Sequence, residues 1–290
     1  MAFLSYLIGG LGLGSVYAII ALGYSMVYGI AKMLNFAHGD VIMVGAFVAY
    51  FALSSFGLPT IVALILSVVA CTVLGIVVEK LAYKPLRGAS SLSVLITAIG
   101  VSYFLQNAAM LMWGTDTKIF PTILEGTLTI GELSIPYLTL LTILSCIVIM
   151  IVLTMFINKT KTGRAMRACS EDKGAASLMG INVNQIISIT FAIGSGLAAI
   201  AAVLLCATYP SVYPTLGSMP GIKAFVAAVF GGIGSIPGAL IGGILLGIIE
   251  ILGKAYISSQ MADAIVFGVL IVVLLVKPSG LLGKQIQEKV

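Results

Sequence analysis

Charged side chains are scarce in this sequence of 290 residues: they make up 9% of it, whereas hydrophobic residues make up 60%. Soluble domains carry about 25% charged residues, so water could not solvate a surface of this composition. Apolar stretches such as 59–78 and 136–157 have the roughly 20 residues that a helix needs to cross a bilayer. They are apolar on every face, which excludes the alternation of a membrane β-barrel. The composition predicts a helical membrane protein.

Several signatures of enzyme and metal chemistry are also missing. No GxxxxGK[ST] motif occurs, so the chain has no phosphate-binding loop of its own. No Ser/His/Asp set, paired-carboxylate cleft or zinc-ligand spacing supports an intramembrane enzyme or a metal site. The cysteines are Cys71, Cys146, Cys169 and Cys206. Their positions show neither a pairing pattern nor a CxxC spacing, which argues against structural disulfides. No basic region precedes the first apolar stretch, which predicts a retained span rather than a cleaved signal peptide.

The apolar segments predict an all-α polytopic membrane protein. We expect about eight transmembrane helices and one short or broken membrane segment, within a single transmembrane domain covering residues 1–290. The predicted spans are 3–30, 40–56, 59–83, 91–113, 136–157, 186–209, a short piece near 221–232, 237–254 and 262–276. GxxxG pairs fall at Gly10/Gly14, Gly238/Gly242 and Gly243/Gly247, where small residues favour close helix packing, either inside one subunit or against a second one.

The positions of the basic residues predict the orientation. Twelve of the 15 lysines and arginines fall on one side of the predicted spans, which the positive-inside rule assigns to the cytoplasm. They are Lys32, Lys80, Lys84, Arg87, Lys159, Lys161, Arg164, Arg167, Lys173, Lys277, Lys284 and Lys289. The net charge of +5 is therefore explained by basic residues on the cytoplasmic side of the membrane rather than by a surface that binds nucleic acid. The N-terminus is then predicted outside and the C-terminus in the cytoplasm.

Two further predictions follow from this orientation. The loop 114–135 lies outside, carries Asp116, Glu125 and Glu132, and mixes β-forming residues with glycine, which predicts a small extracytoplasmic hairpin. Three crossings must follow the sixth span to bring the tail inside, yet only two spans of normal length remain. The short piece 221–232 must supply the third crossing, and such breaks occur where backbone is buried or lines a cavity.

Polar residues inside the spans suggest parts of a pathway. The run MLNFAHGD places Asn35, His38 and Asp40 at a span junction, either at the water interface or as a polar lining. Lys223, beside the broken segment, either meets a carboxylate or extends to the interface. Gln106, Asn107, Glu250 and Lys254 are expected to make hydrogen bonds between helices, with Glu250 and Lys254 paired at i, i+4. The predicted lining is Asn35, His38, Asp40, Thr97, Gly100, Gly194, Ser195, Gly196, Lys223, Gly231, Gly232 and Gly234.

The polar loop 158–185 is longer than a simple connection needs. Its residues 163–178 are good helix formers, Gly180 fits a C-cap, and Asn182 fits the N-cap of the next span. This pattern predicts one or two short amphipathic helices at the membrane surface and favours a partner protein there.

The run GRAMRACSEDKGAASLMGIN within this loop resembles the cytoplasmic loop of branched-chain amino-acid ABC importer permeases, of the shorter permease type. GSVYAIIALGYSMVYGIAKMLNFAHGD, GIKAFVAAVFGGIGSIPGALIGGILLG and KPSGLLG extend the resemblance over nearly the whole chain. It implies a docking element for an ATPase, made of Gly163, Arg164, Arg167, Glu171, Asp172, Ala175, Ala176, Gly180 and Ile181. The sequence lacks the proline that closes this motif in sugar-importer versions.

The resemblance also implies the assembly. The expected partners are a second homologous permease, two cytoplasmic ATPases, a periplasmic binding protein that delivers Leu, Ile or Val, and the lipid bilayer, with no nucleic acid. ATP and Mg would bind the ATPases, and this chain would bind no cofactor. The expected location is the bacterial inner membrane. Alternative substrates are urea, short amides or other amino acids, and alternative classes are an ion-coupled secondary transporter or a scaffold subunit.

Overall fold

The structure is a computed structural model that describes residues 2–131 and 133–283. Of the residues discussed above, Glu132, Lys284 and Lys289 lie outside this part of the chain. The described helices are α1 (Ala2–Ala31), α2 (His38–Ser54), α3 (Thr60–Val78), α4 (Ser91–Trp113), α5 (Tyr137–Lys159), α6 (Lys161–Glu171), α7 (Lys173–Leu178), α8 (Val183–Thr208), α9 (Ser218–Gly231), α10 (Ile236–Tyr256) and α11 (Ala262–Val276). The strands are β1 (Thr127–Ile130) and β2 (Leu133–Pro136).

Each predicted span coincides with a helix, so the all-α prediction is confirmed. Within the described residues, six helices are long and apolar enough to cross a membrane: α1, α3 with the turns that follow it, α4, α5, α8 and α10. Helices α2, α9 and α11 are apolar but shorter. Local sequence sets several starts: the side-chain oxygens of Ser90, Asn182 and Ser235 accept backbone N–H groups in the first turns of α4, α8 and α10.

Helix α1 lies at the centre of the bundle, where α8, α9, α10 and α5 pack around it. Its crossing with α10 is close because both helices carry glycine there. A Cβ atom on Gly14 would lie 2.7 Å from Ile244 Cα, and one on Gly247 would overlap the backbone of Gly14. Gly242 packs in the same way against the α9 backbone at Ala227. The predicted GxxxG pairs therefore pack helices of one subunit together.

The helix ends fall on two sides of the bundle. We call one the hairpin side: β1 and β2 pair there in an antiparallel register that matches Thr127 with Pro136. On that side Tyr6 of α1 contacts Tyr256 of α10 through rings 5.9 Å apart, and Lys118 forms a bridge with Val212. The end of α1 and the start of α10 meet on the opposite side, which we call the basic side, where Gly29 lies beside Gly234.

Two membrane segments start inside the bundle rather than at its surface. After α1 the chain turns back inward, so that His38, the first residue of α2, lies against Gly23. Gly23 is eight residues before the end of α1, a depth of about 12 Å at the helical rise of 1.5 Å per residue. Helix α9 starts at the same place, because Gly217 and Gly221 are in backbone contact with Gly39. The 14 residues of α9 span about 21 Å, which agrees with the predicted short segment.

Candidate functional site

The predicted loop helices form as two elements. Helix α6 begins after Thr160, whose hydroxyl accepts a hydrogen bond from the Gly163 N–H at 2.9 Å. Asp172 ends α6 and caps α7, since its carboxylate accepts the N–H groups of Gly174 and Ala175. Gly180 then reverses the chain with a φ of +81°, a conformation that favours glycine. The predicted glycine C-cap and the second short helix are therefore confirmed.

The structure separates the predicted docking residues into two groups. One group anchors the loop helices to the bundle: Gly163 is buried where any side chain would overlap the α5 backbone, and Ala176 is 3% exposed. The other group faces solvent: Arg164, Arg167, Glu171, Asp172, Ala175 and Gly180 are exposed, and Ile181 is half-buried. A partner could therefore contact the second group directly but not the first.

The sequence reasoning missed two residues at the tip of this loop. Leu178 is 90% exposed and Met179 is 83% exposed, although both are large and apolar. They stand at the end of α7, before Gly180, in a loop that is otherwise polar. Exposed apolar groups in a polar surface segment mark interaction sites. Their position directly before Gly180, the predicted C-cap glycine, was the sequence signal that could have revealed these two residues.

The loop helices are linked to the transmembrane bundle by specific contacts. The Lys173 ammonium donates a hydrogen bond of 2.6 Å to the Ala31 carbonyl, the last residue of α1. Burial of this side chain, together with the charges of Lys32 and Arg87, lowers the pKa of Lys173. Arg167 of α6 donates to the Asn158 side chain at the end of α5. A displacement of the loop would therefore act on α1 and α5.

A second linkage joins α3 to α8 on the same side. Helix α3 continues as a π-helical turn, Glu79–Tyr83, and Glu79 is fully buried. Its carboxylate pairs with Arg87 and accepts a hydrogen bond of 2.6 Å from Ser188 of α8. Arg87 also donates to Asn184 at the start of α8. These hydrogen bonds thus hold the start of α8, which follows the loop helices, against the end of α3.

A cleft of about 540 Å³ lies between α6 and the turn that joins α9 to α10. Arg167 and Glu171 of α6 line one wall, and the Gly234–Pro237 part of the turn lines the other. Thr154 of α5 also lines it, with a buried hydroxyl that has no hydrogen-bond partner among the described residues. The cleft separates this part of α6 from the turn.

The polar residues of the MLNFAHGD run are buried, so of the two alternatives for them the position in water at the interface is wrong. Asn35, His38 and Asp40 are 4%, 1% and 2% exposed, because the segment turns inward after α1. The Asn35 carboxamide oxygen accepts a hydrogen bond of 2.8 Å from Tyr83. The His38 Nε2 atom has no partner among the described residues and lies against Gly23.

Asp40 belongs to a polar group that we call the Asp40 cluster, made of Asp40, Ser102, Gln106 and Ser218. The Gln106 amide nitrogen lies 2.8 Å from the Asp40 carboxylate and 3.3 Å from each of the two serine hydroxyls. The expected hydrogen bonding of Gln106 between helices is confirmed. Asn107, by contrast, donates to the Tyr103 carbonyl of its own helix.

The other predicted lining residues occupy three different settings. Gly194, Ser195 and Gly196 pack α8 against α1 and α3. Thr97 is half-buried and Gly100 is exposed on α4. Gly231, Gly232 and Gly234 form the turn between α9 and α10, where Gly232 and Gly234 have φ values of +107° and +90°.

Lys223 lies in a charged group that we call the Glu250 network, made of Tyr17, Lys223, Glu250, Lys254 and Asp263. The Glu250 carboxylate accepts hydrogen bonds from Lys223 at 2.9 Å, Lys254 at 2.6 Å and the Tyr17 hydroxyl at 2.9 Å. Lys223 also pairs with Asp263 at 2.6 Å. The predicted i, i+4 pair is confirmed. Of the two alternatives for Lys223, extension to the interface disagrees with a side chain that is only 8% exposed.

A metal centre finds no support in this part of the chain. Residues 2–131 and 133–283 contain no group of three or more His, Cys, Asp or Glu side chains that could hold a metal ion. All four cysteines are free and buried, and burial raises the pKa of the Cys169 thiol in the loop. What the structure offers instead is an exposed surface loop joined to a bundle with buried polar clusters.

Comparisons with known proteins agree with this arrangement. The profile of the family described as branched-chain amino acid transport system / permease component matches residues 6–275. The high-affinity branched-chain amino acid transport system permease protein BraD of Pseudomonas aeruginosa is 47% identical, over 99% of this chain and 98% of its own. The corresponding permease LivH of Escherichia coli K12 is 44% identical over the same shares.

A solved structure gives a likeness of fold alone. PsaBC from Streptococcus pneumoniae in complex with Fab aligns with a TM-score of 0.50 and 14% identity, covering 94% of this chain and 92% of that one. The family profile covers most of the sequence, and relatives above 40% identity align with this chain almost from end to end. The chain therefore belongs to the family of permease components of branched-chain amino acid transport systems.

Proposed function

We propose that the chain is a membrane-spanning subunit of an ATP-driven ABC importer that translocates branched-chain amino acids. The permease proteins BraD and LivH, named for high-affinity transport of these amino acids, support the substrate class. As a permease component the chain is a transport subunit rather than an enzyme. ATP hydrolysis belongs to separate subunits, which hold ATP and Mg.

The observation that carries this proposal is the exposed apolar tip of the loop. Leu178 and Met179 stand almost fully exposed in the same loop as the exposed charged residues Arg164 and Glu171. Apolar side chains surrounded by charges suit a protein groove, where the apolar pair fills a pocket and the charges pair at the rim. In this proposal the two residues insert into a groove on the cytoplasmic ATPase.

The proposed mechanism is alternating access driven from outside the chain. ATP binding closes the ATPase pair and displaces α7, and the Lys173 contact with Ala31 passes the movement to α1. The linkage of Glu79, Arg87 and α8 passes it to α3. A drive of this kind must favour one state over the other by several kcal/mol.

The proposed orientation puts the basic side in the cytoplasm. All ten described residues of the predicted cytoplasmic basic set belong to segments of that side. The N-terminus and the hairpin then lie outside, and α9 supplies the short ninth membrane segment. Two such permeases, two ATPases and a periplasmic binding protein would complete an inner-membrane assembly. In this proposal the polar contacts of the pathway come from the Asp40 cluster, because Gly194, Ser195 and Gly196 pack helices together.

Copurification tests the docking proposal. The chain would be co-expressed with the ATPase subunits of the importer, and Leu178→Ser with Met179→Ser should reduce ATPase recovery at least about tenfold, which corresponds to about 1.4 kcal/mol. Ile119→Ser is the matched control, because Ile119 is also apolar and 80% exposed but lies in the hairpin-side loop. Full recovery with the double variant, or equal loss with the control, would contradict docking at this tip.

Buried acids favour one other function. Asp40, Glu79 and Glu250 are each 2% exposed or less, and acids at membrane depth are typical of ion-coupled transporters. An ion-coupled transporter would accumulate leucine in liposomes without ATP or an ATPase subunit. The family membership and the loop tip favour the ATP-driven importer.

A further inference from the structure

The starts of α2 and α9 are locked together inside the bundle. A Cβ atom on Gly217 would overlap the Gly39 carbonyl, and one on Gly221 would lie 2.8 Å from Gly39 Cα. The two helix starts therefore touch through backbone atoms, with no side chain between them. This contact fixes Asp40, in the first turn of α2, next to Ser218, the first residue of α9.

Asp40 differs from the other buried acids in its surroundings. Glu79 is paired with Arg87, and Glu250 is paired with Lys223 and Lys254. Within the described residues, no lysine, arginine or histidine nitrogen lies within 4.0 Å of the Asp40 carboxylate. Its donor is the neutral amide of Gln106.

The helix ends beside Asp40 offset part of the cost of burying its charge. Asp40 lies in the first turn of α2, where the helix carries about half a positive charge, and α9 starts beside it. Neutral hydrogen-bond donors and helix N-termini stabilise a carboxylate but leave its net negative charge in place, because no positively charged side chain is paired with it. A buried carboxylate of this kind leaves a place for a cation that comes and goes.

The cluster opens toward α4. Asp40 is buried, but Gln106 and Ser218 are half-buried, and the neighbouring Met219 is 41% exposed. Helix α4 is exposed along most of its length and contacts α2 and the π-helical turn only sparsely. Among the described residues, Gln106 is thus the main link from α4 to the starts of α2 and α9, through its hydrogen bonds with Asp40 and Ser218. The partly exposed side chains of Gln106 and Ser218 therefore put the edge of the cluster at the surface of this chain, with the Asp40 carboxylate behind them.

We infer that the Asp40 cluster receives the α-ammonium group of the amino acid as it crosses the membrane. This inference rests on the proposed function and adds to it the contact that recognises the substrate's cationic end. An ammonium has three N–H donors, which the Asp40 carboxylate and the Gln106 and Ser218 oxygens can accept. The contact is weak enough for release, because Asp40 has a ready alternative in its own donors.

The first test measures charge at the site and needs no transport. In a background with the four native cysteines replaced by alanine, Ser218→Cys would be reacted with a cationic reagent, 2-aminoethyl methanethiosulfonate, and an anionic one, 2-sulfonatoethyl methanethiosulfonate. An ionised carboxylate a few ångströms away should favour the cationic reagent by about tenfold or more. Adding Asp40→Asn should abolish the preference, whereas Asp40→Glu should keep it.

Two results would overturn the inference. One is an equal rate ratio with Asp, Glu and Asn at position 40. The other is failure of both reagents to reach Ser218→Cys in every nucleotide state. If the Asp40→Asn protein does not assemble, the test rests on the protein that carries Ser218→Cys and keeps Asp40. If the cationic reagent reacts no faster than the anionic one in that protein, there is no exposed negative charge at the site and the inference is contradicted.

The second test measures transport by the complete importer in proteoliposomes. Asp40→Asn should lower ATP-driven leucine uptake by about tenfold or more while ATPase copurification is unchanged. Asn107→Leu is the matched control on α4, since Asn107 is next to Gln106 but bonds its own backbone; its uptake should stay within about twofold of wild type. If the Asp40→Asn importer takes up leucine as fast as the wild-type importer, this inference is overturned. The importer proposal would still stand.

Discussion

Replacing Glu250 with alanine should destabilise the fold more than the loss of any exposed charge. The Glu250 side chain is 2% exposed, and its carboxylate is the shared acceptor for Lys223, Lys254 and the Tyr17 hydroxyl. It connects α10 to α9 and α1 inside the bundle. Its removal leaves Lys223, 8% exposed, with only Asp263, whose side chain is 46% exposed and partly hydrated.

The expected magnitude follows from burial. Removing one partner of a buried ion pair costs about 3–5 kcal/mol when the remaining charge is left buried and unpaired; Lys223 keeps Asp263, so the lower end, about 3 kcal/mol, applies. At about 2–4 °C per kcal/mol for domains of 150–250 residues, this predicts a melting temperature lower by roughly 10 °C. Lys254→Met removes a donor of the same carboxylate but from a side chain that is 36% exposed, so its cost should stay below about 1 kcal/mol.

The assay is thermal unfolding of the detergent-purified protein, followed by the loss of the monodisperse peak in size-exclusion chromatography. Lys254→Met serves as the matched control, and Glu250→Gln, which keeps the shape and a hydrogen-bond acceptor, should fall between the two. If Glu250→Ala melts within about 2 °C of wild type, or no lower than Lys254→Met, the burial argument is refuted.

Three other substitutions test the packing and coupling described above. Gly247→Ala places a methyl group on the α1 backbone and should lower stability by about 1–3 kcal/mol, whereas Gly268→Ala, which meets nothing within 4 Å, should leave the melting temperature unchanged. Gly180→Ala forces a positive φ on alanine; it should cost about 1–2 kcal/mol and reduce ATPase copurification. Lys173→Met removes the contact with the Ala31 carbonyl and should keep the ATPase bound while lowering leucine transported per ATP several-fold, measured by parallel uptake and phosphate release.

The sequence predicted the elements of the fold better than their depth. Runs of apolar residues determine where a helix can exist, and cap residues such as Asn182 and Gly180 mark where it starts and ends, so both were predictable locally. The inward turn before His38 was not, because it depends on the contact of Gly39 with Gly217, about 180 residues further on in the chain. Asn35 was therefore left between two alternatives, the water interface and a polar lining, and the structure buries it.

The candidate site was predictable in its composition but not in its pairings. Asp40 and Gln106 were each recognisable as polar residues in apolar surroundings, yet their contact depends on the rotation of α4 about its axis. The two acids bound to Lys223 come from α10 and α11, which no local pattern brings together. In the loop, the helix-forming residues and caps predicted the helices, but only their packing against α5 showed that Gly163 faces inward.

ATP dependence of transport tests the central claim most directly. Leucine uptake would be measured in proteoliposomes that contain this chain, its partner permease and the ATPases, with the binding protein added outside and ATP enclosed within. The importer proposal predicts accumulation that requires ATP and the binding protein and that falls with Leu178→Ser and Met179→Ser. Accumulation of leucine by this chain alone, driven by an ion gradient without ATP, would contradict it.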